Sequence, residues 1–259
     1  MTVFTTAQRA VRLLGTALAP YPLKPDALLA ANSVAALKQL AVDSARVGFN
    51  GQILRIAYLV WLFRTLECTS FIETGTYRGM TARAARALFD VKVFTVEMHR
   101  NAYWSSRLLA LLAREDGVHF ALGDSSRLLN RWLRRPEVGP RPMLYLDAHW
   151  FAENPLRREL AEAVRRGSCV AVIDDCRVAR DPEFGFDSQD YGRGSPWNFT
   201  IELPSFIDLL PRERVEILQP AYSARDETGR RRGTAIALID LALPPGPRPF
   251  VASLFSAVT

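Results

Sequence analysis

Two patterns of hydrophobic positions divide the chain. Over residues 1–66 they recur at helical spacing, with no strand-and-turn alternation. Thr6 to Leu18 is one predicted helix, stopped by Pro20 and Pro22, and a second runs from about Pro25 to Val42. A third, from about Gly51 to Leu66, has a heavy apolar face of Ile53, Leu54, Tyr58, Trp61 and Leu62, interrupted by Arg55 and Arg64. This extension is a cap, an oligomer surface or a wall of a substrate site, and the pattern leaves all three open.

From residue 68 short β-branched runs alternate with helical stretches. Strands are predicted at 69–73, 91–97, 118–122, 143–146 and 169–173, with helices at 80–89, 103–114 and 126–135. The helix before the last of these strands is well signalled. Asn154 suits its N-cap, Pro155 its first position and Arg165-Arg166-Gly167 its stop. A loop over 176–198 then gathers Phe184, Phe186, Tyr191 and Trp197; loops of that length are often lids or binding loops. A helix at 199–210 and closing strands at 215–219 and 234–239 follow, and the tail after Leu243 is Pro-rich, then apolar. The expected fold is α/β: a doubly wound, mostly parallel, seven-stranded sheet over residues 67–259, behind a helical extension over residues 1–66.

Composition changes this picture little. The 259 residues, 49% of them hydrophobic, suffice for one sizeable core. The net charge of +6 raises the question of nucleic acid. It comes almost wholly from scattered arginines, with no basic arm or stacking-aromatic signature, and reads as solvated surface, so no nucleic-acid partner is expected. The longest apolar stretch is too short and too charged to span a bilayer, so no membrane association is expected. Cys68, Cys169 and Cys176 lack metal-site spacing and fit reduced thiols of a cytoplasmic protein.

The unusual polar residues fall at predicted strand ends, where open α/β sheets bind ligands. Glu73-Thr74-Gly75-Thr76-Tyr77-Arg78-Gly79 makes a glycine turn that lacks the dinucleotide and P-loop patterns, which favours an adenosyl ligand without phosphates. Glu97 closes the second strand, placed to accept hydrogen bonds from ribose hydroxyls, and Asp124-Ser125 follows the third, beside an adenine edge. A plain turn, a strand-capping carboxylate and a helix cap are the structural alternatives for these three. Asp147 and the Asp174-Asp175 pair end adjacent strands; carboxylates so gathered need a cation or retained protons, and an all-oxygen set suits Mg²⁺. His149, two residues past Asp147, is a candidate base, with a metal-ligand role as the second reading. His99 borders the cofactor site, and His119, inside a strand, is structural.

Over about residues 68–240 the chain resembles the class I S-adenosylmethionine-dependent methyltransferases, through Glu-x-Gly-x-x-x-Gly at 73–79, Glu97 and Gly123-Asp124. Leu146-Asp147 and Ile173-Asp174-Asp175 resemble the metal-dependent small-molecule O-methyltransferases, nearest the branch acting on macrolide and aminocoumarin sugars in natural-product biosynthesis. The resemblance implies that Glu73, Gly75, Thr76, Tyr77 and Gly79 surround the methionine moiety of S-adenosylmethionine. It places Glu97 on the ribose, Asp124 and Ser125 by the adenine, and Mg²⁺ on Asp147, Asp174 and Asp175. His149 stands where that branch commonly has an Asp, which makes Asp147 and His149 the candidate catalytic pair. The implied reaction is methyl transfer to a hydroxyl of a small molecule. The rivals are a metal-independent N- or RNA methyltransferase and a non-catalytic adenosyl-binding protein.

Overall fold

The computed structural model describes residues 21–41, 47–149, 154–193, 195 and 198–258. The predicted helix over Thr6 to Leu18 and residues 150–153 and 197 lie outside them.

Eight strands form one sheet: β1 (Ser70–Thr74), β2 (Val93–Glu97), β3 (Val118–Leu122), β4 (Pro142–Leu146), β5 (Cys169–Asp174), β8 (Val215–Pro220), β9 (Thr234–Ile239) and β10 (Phe255–Ala257). Their order is β3-β2-β1-β4-β5-β9-β8-β10. Neighbours from β3 to β5 run parallel, and β9, β8 and β10 join antiparallel. A two-residue hairpin, β6 (Ser188–Gln189) with β7 (Phe199–Thr200), stands apart. The centre is apolar because β4 and β5 are buried on both faces. Leu144, Leu146, Ala171 and Ile173 enter one core, and Met143, Tyr145, Val170 and Val172 the other.

Helices cover both faces. α1 (Pro25–Ala30), α2 (Val34–Leu40), α3 (Ile53–Thr65) and α4 (Met80–Phe89) share the core of Met143 and Tyr145. α6 (Ser125–Trp132) and α7 (Leu156–Arg166) cover the other face, and α5 (Arg100–Leu112) follows β2. α3 is buried all round from Ile53 to Phe63, so Arg55 lies inside the protein. Glu227 receives the otherwise unpaired N–H groups of Leu54 and Arg55.

Three expectations are corrected. The helix predicted over Pro25 to Val42 is two helices, because Ala31 is extended and Ser33 caps α2 by accepting from the Ala36 N–H. Residues 199–210 are β7 and two 3₁₀ turns, Leu203–Ser205 and Ile207–Leu209; Pro204 and the non-helical Phe206 break the run, and Phe206 and Leu210 anchor it in the core. The apolar tail supplies β10, an eighth strand, and Phe255 stacks on Tyr58 of α3 with ring centroids 4.3 Å apart.

Candidate functional site

The sheet reverses its winding between β1 and β4, the position at which open α/β sheets bind ligands beyond their strand ends. Gly75, with φ +85°, runs against the β4 end so closely that a Cβ would stand 2.3 Å from the Asp147 carbonyl oxygen. The turn is tied to β2, since the N–H groups of Gly75 and Thr76 both donate to the Val96 carbonyl. Glu73 is buried; its carboxylate accepts from the Thr95 hydroxyl at 2.5 Å, and Thr95 shares a 2.6 Å hydrogen bond with Thr76. Burial pushes Glu73 up to about 8. Glu97 accepts from the N–H groups of Tyr77 (2.7 Å) and His99 (2.8 Å), joining this turn to the start of α5. Gly79, with φ +70°, leads into α4. Asp124 caps α6 through the Arg127 N–H at 2.9 Å, and Ser125 is the first residue of that helix.

The acidic cluster divides. Asp175 has φ +52°, a strained conformation for a non-glycine residue, and the two consecutive carboxylates meet different partners. Asp174, expected as a metal ligand, has both oxygens engaged: Oδ1 by Arg55 at 2.5 Å, and Oδ2 by Tyr145 at 2.5 Å and Asn50 at 3.1 Å. Asp147, His149 and Asp175 instead bring one donor atom each within 4.8 Å of one another. His149 Nε2 lies 3.8 Å from Asp147 Oδ1, 3.9 Å from Asp175 Oδ2 and 3.5 Å from Asp187 Oδ2. Asp147 Oδ1 and His149 Nε2 are buried with no hydrogen-bond partner. Arg232 binds Asp175 Oδ1 at 2.6 Å and also pairs with Asp187 Oδ1.

Burial, with Asp174 and Asp175 close by, raises Asp147 well above the carboxylate range. Burial works the same way on Asp175, but His149 and Arg232 outweigh it and hold that group at about 2. Two orphaned donors and a third carboxylate around one point fit a divalent cation.

No family model matches the chain, and no curated protein matches its sequence. Among solved structures, a candidate O-methyltransferase from Klebsiella pneumoniae superposes with a TM-score of 0.50 at 19% identity, over 92% of this chain and 93% of that one. The two share a Rossmann-like α/β fold. An O-methyltransferase from Bacillus cereus, in complex with S-adenosylhomocysteine, gives a TM-score of 0.49 at 18% identity over 92% and 93%. TomG, the O-methyltransferase of Streptomyces achromogenes involved in tomaymycin synthesis, gives 0.45 at 21% over 70% and 78%.

Within this fold the structure adds residues that sequence reasoning missed: Asn50, Tyr145, Glu159, Asp187, Arg232 and the role of Arg55. Glu159, buried on α7 against Thr74, is pushed up to about 7 by burial and leaves Oε1 without a partner. Its signal was a carboxylate in the apolar stripe of Leu156, Leu160 and Ala163. Of the loop aromatics, Phe184 packs with Val178 and Ala224, Phe186 lies under the Arg177 guanidinium, and Tyr191 is exposed. The cysteines are buried free thiols, and burial pushes Cys68 and Cys169 up to about 12, which keeps them protonated.

Proposed function

We propose that this protein transfers the methyl group of S-adenosylmethionine to a hydroxyl of a small molecule, aided by a divalent cation (Mg²⁺ in the sequence reading) and a general base. One observation carries the proposal: the glycine turn after β1 is pressed against the β4 end, which leads directly into the Asp147–His149–Asp175 group. Shared fold with a candidate O-methyltransferase supports it. Gly75, Thr76, Tyr77 and Gly79 would follow the methionine moiety, braced from below by Glu73 through Thr95. Glu97, with lone pairs left beyond its two backbone bonds, would take the ribose, and Asp124 and Ser125 would border the adenine. Asp147 and Asp175 would hold the cation, which when bound lowers the pKa of an acceptor hydroxyl. Asp174 would act through Arg55, fixing the wall behind them. The Asp147–His149 pair would take the hydroxyl proton, and the resulting oxyanion would attack the methyl carbon in line with the departing sulfur. Orientation of these atoms supplies much of the rate.

Calorimetric titration with S-adenosylhomocysteine tests the cofactor site. One saturable site per chain is expected in wild type, and its absence in folded protein overturns the reading. Once an acceptor is known, His149→Ala should lower kcat by about 10²-fold or more and leave cofactor affinity nearly intact; undiminished turnover removes His149 from the pair.

A metal-independent methyltransferase is the second reading, favoured by the positions of Arg55 and Arg232, which already offset Asp174 and Asp175. Full turnover after chelation would establish it.

A further inference from the structure

We infer that the cation centre takes His149 as its nitrogen ligand beside Asp147 and Asp175, with Asp174 held outside, and is therefore selective for a borderline ion of the Mn²⁺, Co²⁺ or Zn²⁺ class over Mg²⁺. This rests on the methyl-transfer reading for what the ion does, but not for its binding, and it replaces the base role proposed for His149, whose Nε2 cannot hold both the ion and a proton.

Three observations lead there. First, the donors stand too far apart to hydrogen-bond each other and near enough to converge on one ion. His149 Nε2 stands 3.8 Å from Asp147 Oδ1 and 3.9 Å from Asp175 Oδ2, beyond hydrogen-bonding reach. Metal bonds of about 2.0–2.2 Å put neighbouring ligand atoms about 2.8–3.6 Å apart, so a small contraction of this group would seat one ion among all three. His149 is 1% exposed and its Nε2 has no hydrogen-bond partner, so this nitrogen is desolvated and aimed into the group.

Second, the surroundings orient the donors. Arg232 holds Oδ1 of Asp175 and Oδ1 of Asp187, leaving the Oδ2 atom of each toward the imidazole. Partners of this kind fix ligand direction. Asp147 turns Oδ1 inward while its side chain stays 23% exposed, leaving a side open for an acceptor.

Third, Asp174, which an all-oxygen set would add, lies outside the group of donor atoms within 4.8 Å of one another. Arg55, Tyr145 and Asn50 use both oxygens of Asp174. The positive charges of Arg55 and Arg232 lower the net negative charge around the ion. That weakens a site resting on charge alone, as Mg²⁺ sites largely do, more than one with an imidazole bond.

Metal-stripped full-length protein titrated separately with Co²⁺ and Mg²⁺ tests this, with His149→Asp as the comparison. Because most mixed sites bind Co²⁺ more tightly than Mg²⁺, the change in preference is what decides. In wild type Co²⁺ should bind at one site per chain and develop a visible absorption spectrum, and it should strongly perturb the ¹⁵N side-chain resonance of one of the three histidines. In His149→Asp the Co²⁺-over-Mg²⁺ preference should fall at least roughly tenfold, with the thermal unfolding transition retained. Asp147→Asn should abolish the wild-type heat. An unchanged preference in His149→Asp, unperturbed histidine resonances, or Mg²⁺ binding as tight as Co²⁺ would overturn the inference. Cation binding without S-adenosylhomocysteine binding would sink the methyl-transfer reading and leave this one standing. Cofactor binding without cation binding would do the reverse.

Discussion

At the scale of single residues, the deciding contact is Arg55 with Asp174, both almost wholly buried. A buried pair is costly to desolvate, and removing one member strands the other charge in a poorly hydrated place. Arg55→Met should therefore lower unfolding free energy by about 3–5 kcal/mol. Arg55→Met with Asp174→Asn should cost clearly less than the two single changes added, because neither charge is then left alone. Urea unfolding of the four proteins measures this, and strict additivity would show that the pair is not coupled. The sequence revealed Arg55 only as a charge breaking an apolar run, because its partner lies 119 residues further on. Asp147, His149 and Asp175 were legible since each follows a strand that its own local pattern defines. Asp187 was not: its position depends on Arg232, 45 residues away, and nothing near it marks a site.

Among elements, the junction of β1 with the β4 end matters most. Gly75 combines positive φ with backbone contact, so Gly75→Ala must either strain the turn or push Asp147 away. Cofactor affinity should fall at least roughly tenfold and stability by about 1–3 kcal/mol. Gly192, at φ +99° with nothing within 4 Å of a Cβ, is the control. Its replacement by Ala carries the conformational strain alone and should leave S-adenosylhomocysteine affinity unchanged. Equal affinities in both variants and wild type would separate the turn from the cofactor. The parallel strands and their helices were readable because their apolar runs are local and bounded. Residues 199–210 misled because their spaced apolar residues suit a helix, while Phe206 and Leu210 are held as separate anchors. β10 was hidden because an edge strand of three residues takes its conformation from its neighbour β8.

For the molecule as a whole, the buried carboxyl groups near the strand ends set how stability depends on pH. Glu73 is raised from an ordinary 4.5 to about 8 and Glu159 to about 7, burial being the leading cause for both. Between pH 4.5 and pH 8 the folded chain keeps protons that the unfolded chain releases, so stability must fall as pH rises through this window. The contribution is full below the unfolded value and lost above the folded one. For Glu73 its ceiling is about 5 kcal/mol, at about 1.4 kcal/mol per pH unit. Asp175 has the opposite sign: held at about 2, it contributes stability above its ordinary 3.8 that is lost as acid protonates it. The unliganded protein should thus be most stable in mildly acidic buffer, between these two regimes, and weaken toward pH 8. Glu73→Gln keeps an acceptor for the Thr95 hydroxyl but cannot ionise, so its unfolding free energy should decline less between pH 5 and pH 8. Denaturant unfolding of both proteins across that range measures the difference, and parallel curves would show that Glu73 ionises in the folded state as it does in the unfolded one. On the proposed reading, a cation bound among the carboxyls at these strand ends should also flatten the decline.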